Sequence, residues 1–367
     1  MHSDEPHMRR AIRLAMNGRG QVEPNPMVGC VLVKNGQVIG EGFHEKFGGP
    51  HAEPNALASC TESPNGATAY VTLEPCCHTD KKTPPCVPKL IQAKIARVVI
   101  GCLDPNPEVN GNGVRQLRDA NIQVDTGLLE AECKQLIAPF LARTNHARPY
   151  YTAKWAQTAN GKIAGPGGKR QQISNAASMR LVHKLRSACD AIIVGVNTVL
   201  TDDPLLTSRA GTGPRTPLRF VLDRQLRTPE NSRLVQTTHE VPVVIGHGPD
   251  IPLDKKLRLE ALGVKFRLTP DLQSLHSALT NVTHALVEAG PTLAKALFDQ
   301  NLPDRLWVIT SPNRIDDPTA LSAALIPKLF TETARRDLDG DTLVEYLNTA
   351  SPAFFAAVPS ADFILIR

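Results

Sequence analysis

The sequence predicts an α/β protein with two domains. Apolar spacings typical of strands and of helices alternate in two successive series, and such alternation indicates a sheet covered by helices. A chain of 367 residues with 41% apolar residues is long enough for two domains of this kind. A helix that ends before a proline separates the two series.

The first series begins with a helix over HMRRAIRLAMNG, because Met8, Ile12 and Ala15 follow helical spacing. Two strands then flank the Asn35-Gly36 pair, which is a strong signal for a hairpin turn. A second helix is predicted over about residues 52–60. The strand ATAYVTL, the helix VPKLIQAKI, the strand ARVVIGCLD, the helix NGVRQLRDAN and the strand IQV complete the series.

The segment LLEAECKQLIAPFLARTNHARP predicts one closing helix that ends before Pro149. We therefore expect a first domain over residues 1–147 and a second over 148–367. The second series contains the strands YYTAKWA, DAIIVGV, LRFVLD, VPVVIG, HALVEAG and RLWVIT, with the helix MRLVHKLRSA after the first of them. No internal repeat interrupts either series.

Composition narrows the classes of function. The sequence shows neither an apolar run long enough to cross a bilayer nor a signal-peptide pattern at its start, so we expect a cytoplasmic protein without a membrane partner. Eight cysteines in a reducing compartment favour metal binding or chemistry over disulfides. A net charge of +5 without long basic blocks, and only 4% aromatic residues, favour a phosphorylated small molecule over nucleic acid.

The stretch LEPCCHTDKKTPPC places three thiols downstream of His51-Ala52-Glu53. A catalytic zinc ion takes three protein ligands, and it needs a nearby carboxylate that moves protons. His51, Cys76 and Cys86 are the predicted ligands and Glu53 the predicted proton carrier, as in the H-x-E and P-C-x-x-C pattern of zinc deaminases, here with a longer second spacing. A closed structural zinc site that includes Cys77, or a cluster without metal, is the alternative.

The second series carries a weaker signal for a nucleotide. It has no G-x-G-x-x-G after a strand, the usual dinucleotide fingerprint. The segment EAGPTLAKA instead places small residues between a strand and a helix, where backbone N–H groups can receive a pyrophosphate. Taken alone, a plain strand-to-helix turn explains this segment equally well.

Several motifs together resemble a known family. PNPMVGCVLVKNGQVIGEGFH, HAE, TLEPCCH, KTPPC and DPNP resemble the deaminase half of the bifunctional riboflavin-biosynthesis deaminase/reductases. RPYYTAKWAQTANGKIA, LRSACDAIIVGVNTVLTDDPLLTSR and VEAGPTLAKALF resemble the reductase half. The resemblance implies a cytidine-deaminase-like three-layer first domain with a mixed sheet, and a dihydrofolate-reductase-like α/β second domain.

The resemblance also implies two reactions and two cofactors. The first is the zinc-dependent hydrolytic deamination of 2,5-diamino-6-ribosylamino-4(3H)-pyrimidinone 5′-phosphate, with one Zn²⁺ per chain. The second is the NADPH-dependent reduction of the ribosyl side chain, which gives 5-amino-6-ribitylaminouracil 5′-phosphate. Association into a homo-oligomer is left open.

Site residues follow from the same resemblance. The implied substrate-binding residues are Asn25, His44, His78, Lys82, Asp104, Asn106, Lys154, Arg186, Leu206, Arg209 and Glu288, with Lys82 as the natural phosphate partner. The implied cofactor-binding residues are Ala156, Thr198, Asp202, Gly290, Pro291, Thr292, Leu293, Ala294, Lys295 and Ala296. Asx residues beside proline also form turns, and an arginine such as Arg186 often lies on a solvated helix face.

The chain departs from the family pattern at a few positions. Arg170–Ser174 reads RQQIS where the family commonly has S-x-W-I-T, so Gln172 stands where a tryptophan would touch the cofactor. Cys77 stands where the family has serine, and the spacing between the metal cysteines is one residue longer. Arg224, where the family more often has serine, is the hypothetical partner of the adenosine 2′-phosphate of NADPH.

Three alternatives remain open at this stage. A zinc deaminase of nucleosides or nucleic acid should show stacking aromatics near its pocket, and the chain between His44 and Asn106 offers only Phe47 and Tyr70. A zinc-stabilised binding module should keep its function without Glu53. A protein with an impaired reductase half would retain only the deaminase activity.

Overall fold

The computed structural model describes residues 4–78, 83–208 and 216–355. Over these residues the chain divides into two compact units, and the division falls between His146 and Ala147. Phe355 groups with the first unit. The expected boundary at 147/148 lies next to this division, and independent folding of each piece stays a prediction. Within the described ranges, no helix combines the length and the apolar character that a bilayer span requires.

The first unit is built on a five-stranded sheet in the order β2-β1-β3-β4-β5. Its strands are β1 (Gly29–Lys34), β2 (Gln37–Phe43), β3 (Thr68–Leu73), β4 (Arg97–Cys102) and β5 (Gln123–Thr126). β1 pairs antiparallel with β2 and β3, whereas β3, β4 and β5 run parallel. Asn35 and Gly36 join β1 to β2 with φ angles of 50° and 78°, as an Asn-Gly hairpin turn requires. The predicted hairpin is confirmed.

In the described part of this unit, six helices pack around the sheet: α1 (Glu5–Ala15), α2 (Ala52–Ala58), α3 (Cys86–Gln92), α4 (Asn112–Asp119), α5 (Glu130–Leu136) and α6 (Ala138–His146). Met8, Ile12 and Ala15 are buried on one face of α1, as their spacing predicts. The prediction of one closing helix is wrong, because α5 ends before Ile137 and α6 starts after it. Pro139 lacks an N–H and its ring clashes with the carbonyl four residues earlier, which breaks the helix there.

The second unit contains a nine-stranded sheet in the order β10-β9-β8-β7-β11-β6-β12-β14-β13. Its strands are β6 (Tyr150–Thr158), β7 (Ala191–Gly195), β8 (Leu218–Leu222), β9 (Val243–His247), β10 (Lys265–Leu268), β11 (His284–Glu288), β12 (Arg305–Ser311), β13 (Phe330–Leu338) and β14 (Asp341–Asn348). All pairs are parallel except those of β14 with β12 and β13. The six predicted strands all form, and β10, β13 and β14 add to them.

Helices cover this sheet: α7 (Ala176–Ser187), α8 (Val196–Asp202), α9 (Arg233–Gln236), α10 (Leu253–Ala261), α11 (Leu275–Ala278) and α12 (Pro291–Asp299). Neighbouring residues of β8 enter different core clusters, Phe220 with Leu297 and Val221 with Leu234. Parallel strands buried on both faces need such double cover. The carboxyl ends of β7, β8 and β11 meet at one edge, where ligands of α/β sheets commonly bind.

Candidate active sites

Three predicted metal ligands lie together beside the first sheet. His51 directly precedes α2, Cys76 follows β3, and Cys86 is the first residue of α3. The His51 Nδ1 atom lies 3.5 Å from the Sγ atom of each cysteine, and the three ligand atoms lie within 4.8 Å of one another. Tetrahedral zinc bonds of about 2.3 Å to sulfur and about 2.0 Å to nitrogen separate those two atoms by about 3.5 Å. One imidazole and two thiols therefore fit a zinc ion.

Cys77 lies apart from this group. Its Sγ atom is 3.8 Å from the carbonyl oxygen of Glu108, and within the described ranges the one group of potential metal ligands contains Cys76 and not Cys77. The carbonyl oxygen of Cys76 accepts hydrogen bonds from the N–H groups of Cys86 and Val87, at 3.0 and 3.2 Å. The backbone thus holds the Cys76 and Cys86 thiols side by side, which supports Cys76 as the ligand.

Glu53 occupies the first turn of α2 next to the ligand group. Its side chain is buried, and burial followed by the nearby Cys76 thiol raises the pKa of its carboxyl group. The carboxyl group also hydrogen-bonds the Cys86 thiol. On the other side of the His51 ring, Nε2 lies 3.2 Å from the Thr83 hydroxyl, a contact that orients the imidazole. A buried carboxyl group with a raised pKa therefore adjoins the predicted ligands.

A cavity of about 380 Å³ opens beside His51 and Cys76. Its wall includes five of the predicted substrate residues, Asn25, His44, His78, Asp104 and Asn106. The Nδ1 atom of His78 is buried and has no hydrogen-bond partner among the described residues, so it is available to a ligand. Lys82, the sixth substrate-binding residue predicted in the first unit, lies outside the described residues.

Hydrogen bonds fix the amide of Asn25 at the cavity wall. The Nδ1 atom of His44 lies 2.9 Å from the carbonyl oxygen of Pro50, which makes Nδ1 the protonated nitrogen. Its Nε2 atom then accepts from the Asn25 side-chain nitrogen at 3.1 Å. Burial lowers the pKa of His44, opposed by the bond to Pro50. A neutral His44 thereby sets the orientation of the Asn25 amide.

The aromatic residues that line this cavity are not the pair Phe47 and Tyr70 that the sequence offered. Phe47 lines it, but Tyr70 does not, because its hydroxyl donates a 2.6 Å hydrogen bond to Asp4 away from the site. Phe140, in α6, forms part of the wall and was missed by the sequence analysis. No motif surrounds Phe140, and α6 brings it to the cavity from a distant part of the chain.

Glu74 is a second residue that sequence reasoning missed. Its carboxylate is 2% exposed and accepts hydrogen bonds from the backbone N–H groups of Asp104, Gly111 and Val114, at 3.3, 3.0 and 3.1 Å. It lies two residues before Cys76. The carboxylate therefore joins the turn that carries a metal ligand to the loop that carries Asp104.

In the second unit, three predicted substrate residues come together at the carboxyl end of β11. Arg186 donates two hydrogen bonds to the Glu288 carboxylate, at 2.7 and 2.8 Å. Burial raises the pKa of Glu288, but Arg186 and then Lys154 outweigh it and the net shift is downward. Burial lowers the pKa of Lys154, which Glu288 opposes. Two cations thus flank one carboxylate here, and Arg186 is not a solvated surface arginine.

Another predicted substrate residue, Leu206, is not placed in this group by its side chain. Leu206 is 2% exposed and packs in the core against Val196 and Val199, so only its backbone could face a ligand. Arg186 does reach the neighbouring carbonyl oxygen of Thr207, at 3.2 Å. Arg209 lies outside the described residues.

A cavity of about 620 Å³ lies at the carboxyl edge of the second sheet. An ideal Cβ atom built on Gly290 would meet no atom within 4 Å, and one on Gly195 would meet only Leu293 at 3.9 Å. Open space therefore borders the backbone at the ends of β7 and β11, as a dinucleotide needs. Seven predicted cofactor residues line the cavity: Thr198, Arg224, Gly290, Pro291, Thr292, Leu293 and Ala296.

Five predicted cofactor residues do not line this cavity. Ala294 is buried in the core, and Lys295 points to solvent, where it pairs with Asp299 at 2.6 Å. Gln172 donates a 2.6 Å hydrogen bond to the carbonyl oxygen of Ser174. Ala156 and Asp202 complete the five. The missed lining residues are Gly195, Val196, Asn197, Leu222, Arg227, Thr269, Asp271, Leu272, Gln300 and Leu321.

The fold and the first site define a zinc-dependent deaminase joined to a second α/β unit with a nucleotide-sized cavity. A family model described as the cytidine and deoxycytidylate deaminase zinc-binding region matches residues 1–102. A second model, the RibD C-terminal domain, matches residues 149–319. Each model falls in one of the two compact units.

The relatives identify the family. The riboflavin biosynthesis protein RibD of Actinobacillus pleuropneumoniae is 43% identical over 321 residues, which are 85% of each protein. RibD of Escherichia coli K12 is 39% identical, over 84% of this chain and 88% of that protein. A structure of Acinetobacter baumannii RibD matches with a TM-score of 0.82 at 34% identity, over 94% of this chain and 98% of that one. The chain belongs to the RibD family of riboflavin biosynthesis proteins.

A solved Thermotoga maritima protein supports both fold assignments. Its title names a diaminohydroxyphosphoribosylaminopyrimidine deaminase/5-amino-6-(5-phosphoribosylamino)uracil reductase, and it matches with a TM-score of 0.78 at 35% identity, over 94% of this chain. The predicted cytidine-deaminase-like first domain with a mixed sheet and the predicted reductase fold of the second are thus confirmed.

Proposed function

We propose that the chain performs two successive reactions of riboflavin biosynthesis on one phosphorylated pyrimidine. The first unit hydrolyses the 2-amino group of 2,5-diamino-6-ribosylamino-4(3H)-pyrimidinone 5′-phosphate and releases ammonia. The second unit reduces the ribosyl side chain of that product to ribityl and gives 5-amino-6-ribitylaminouracil 5′-phosphate. The observation that carries this proposal is the joint occurrence of the zinc ligand group and the carboxyl-edge cavity in one chain of the RibD family.

In the first site, His51, Cys76 and Cys86 hold the zinc ion, which supplies activated water at neutral pH. Glu53 accepts a proton from the attacking water and delivers it to the ring nitrogen; it then takes the proton of the added hydroxyl group and delivers it to the departing amine. The water oxygen ends as the ring carbonyl, and nitrogen leaves as ammonia. The buried position of Glu53 beside the ligands suits repeated proton transfer.

The cavity beside the zinc ligands suits a single pyrimidine ring. Phe47 and Phe140 provide aromatic wall, and the oriented amide of Asn25 and the buried Nδ1 atom of His78 provide polar contacts. Buried polar groups that are left unpaired penalise a ligand that cannot match them. These contacts select for the substituents of one ring.

In the second site, bound NADPH would supply the hydride for reduction of the ring-opened imine of the ribosyl group. The substrate is bound by Lys154, Arg186 and Glu288. The Glu288 carboxylate can accept hydrogen bonds from hydroxyl groups of the sugar, and the two cations favour an anionic ligand. The backbone from Gly290 to Leu293 and the residue Thr198 border the cavity for the cofactor. A proton taken up with the hydride completes the reduction of the imine to an amine.

The remaining partners follow from this chemistry. We expect a small-molecule substrate and no nucleic acid, and a cytoplasmic location where NADPH is available. Assignment of residues 1–147 to the deaminase and 148–367 to the reductase completes the proposal.

The direct test is to assay each reaction with the purified full-length protein. Ammonia release from the diamino substrate should require zinc and should not require NADPH. Oxidation of NADPH should require the deaminated product. A matched pair of variants separates the sites, because Glu53→Gln should abolish ammonia release while leaving reduction of supplied product intact, and Glu288→Gln should do the reverse. Loss of both reactions in either variant would contradict two separate sites.

A further inference from the structure

The turn after β8 carries two exposed arginines at the entrance of the cofactor cavity. Arg224 and Arg227 are the cations that line the described part of the 620 Å³ cavity, and both also line an adjoining cavity of about 510 Å³. Arg224 is the hypothetical partner of the adenosine 2′-phosphate, whereas the family resemblance gave Arg227 no role. Arg227 lies where the two cavities meet.

The backbone of this turn is held firmly. The Asp223 carboxylate accepts hydrogen bonds from the N–H and the hydroxyl of Thr228, both at 2.7 Å. The carbonyl oxygen of Arg224 accepts from the N–H of Gly248 at 3.0 Å. Leu226, between the two arginines, is 1% exposed and packs in the core. The two guanidinium groups therefore project from a fixed base, which lowers the entropy cost of binding an anion between them.

The Arg227 side chain is itself directed toward the cavity. Its Nη2 atom donates a 2.9 Å hydrogen bond to the Asn197 side-chain oxygen, and Asn197 also lines the cavity, beside Thr198. A guanidinium has five N–H donors, so this bond orients the group and leaves donors for a ligand.

Charge balance in the cavity shows why one arginine is insufficient. Asp271 also lines the 620 Å³ cavity, so its charge and that of Arg224 alone would cancel. Arg227 makes the sum positive. In the adjoining cavity, Asp250 and Asp223 add two further negative charges, and the Asp223 carboxylate is hydrogen-bonded to Thr228. A dianionic phosphate at this position therefore needs both guanidinium groups.

We propose that Arg227 is a specificity-determining residue that acts with Arg224 to bind the adenosine 2′-phosphate of NADPH. The inference rests on the proposed reductase function of the second unit. NADH carries a hydroxyl group in place of this phosphate, so Arg227 discriminates between the two cofactors and contributes little to NADH binding.

Calorimetric titration of the full-length, zinc-loaded protein tests the proposal without an activity readout. NADPH, NADH and the fragment adenosine 2′,5′-bisphosphate are titrated into the unsubstituted protein and into Arg227→Ala, Arg227→Lys and Asn197→Ala variants. Arg180→Ala is the matched control, because the Arg180 side chain is 69% exposed and its ion-pair partner is Asp339. The melting temperature of each variant reports its folding.

Arg227→Ala should weaken NADPH and the bisphosphate by about 10-fold or more, with NADH changed by less than about 2-fold. Arg227→Lys should lie between, because it keeps the charge and loses the paired donors. Equal weakening of NADPH and NADH, or no weakening of either, would overturn the role of Arg227. Asn197→Ala should weaken NADPH and the bisphosphate less than Arg227→Ala does, because it removes the bond that orients the guanidinium and keeps the charge. An unsubstituted protein that binds neither cofactor would overturn the proposed reductase function as well, whereas unaltered NADPH preference in Arg227→Ala would overturn this inference alone.

Discussion

Replacement of Glu53 by glutamine should remove the proton carrier of the first site while preserving the volume of the side chain. Glu53 is 3% exposed, and its carboxyl group adjoins the Cys86 thiol. Proton transfer by a positioned side chain contributes about 10²- to 10⁴-fold to a rate. The one carboxylate that lines the described part of the cavity, Asp104, already accepts the N–H of Asn106 at 2.9 Å. Because Glu53 serves more than one proton transfer in the proposed reaction, we expect the upper end of that range.

A loss of about 10⁴-fold corresponds to about 5 kcal/mol in the activation free energy. The assay is ammonia release in a single turnover, with zinc content and melting temperature measured on the same sample. Glu62→Gln is the matched control, because its carboxylate is half exposed and lies 3.8 Å from Lys34 on the surface. The control should release ammonia at the normal rate.

Near-normal ammonia release from folded, zinc-loaded Glu53→Gln protein would refute this reasoning and place the proton carrier elsewhere. A variant that loses zinc together with activity would instead show that Glu53 holds the ligands in place. The expected variant retains zinc, retains its melting temperature within a few degrees and loses turnover.

The other predictions concern the metal, the Glu74 contacts and the domain division. Cys76→Ala should lose stoichiometric zinc and Cys77→Ala should keep it; metal analysis with the opposite result would move the ligand to Cys77. Glu74→Gln should destabilise the first unit by about 1–3 kcal/mol and raise KM for deamination, because its amide nitrogen would face backbone donors; unchanged unfolding would show that the contacts are dispensable. A fragment ending at Arg148 should deaminate without NADPH, and an insoluble or inactive fragment would show that the units depend on each other.

Local signals in the sequence predicted the group of potential metal ligands and the first hairpin. His51 directly precedes α2 and Cys76 follows β3. The H-x-E and P-C patterns mark these two positions in the sequence. The Asn35-Gly36 turn likewise needs only its own backbone angles. A turn of this kind depends on neighbours in the chain, and a sequence reports it directly.

The sequence did not show which residues from distant parts of the chain come together at a site. Phe140 reaches the cavity from α6, a distant part of the chain, and Leu206 turns its side chain into the core although its backbone lies near Arg186. The β13–β14 hairpin was detectable, because Asp339 and Gly340 form its turn with φ angles of 54° and 99°. The mostly polar sequence of β13, FTETARRDL, lacks the alternation of polar and apolar residues that indicates a strand.

The most direct test of the central claim, two coupled activities in one chain, is a stoichiometric assay in a single tube. The full-length protein, zinc, NADPH and the diamino substrate are mixed, and ammonia and NADPH are followed together. We predict that ammonia appears first and that NADPH is then oxidised in an equal amount, with ammonia release unchanged when NADPH is left out. Complete release of ammonia without oxidation of NADPH would contradict the claim, and would show that the RQQIS segment at Arg170–Ser174 has cost the second activity.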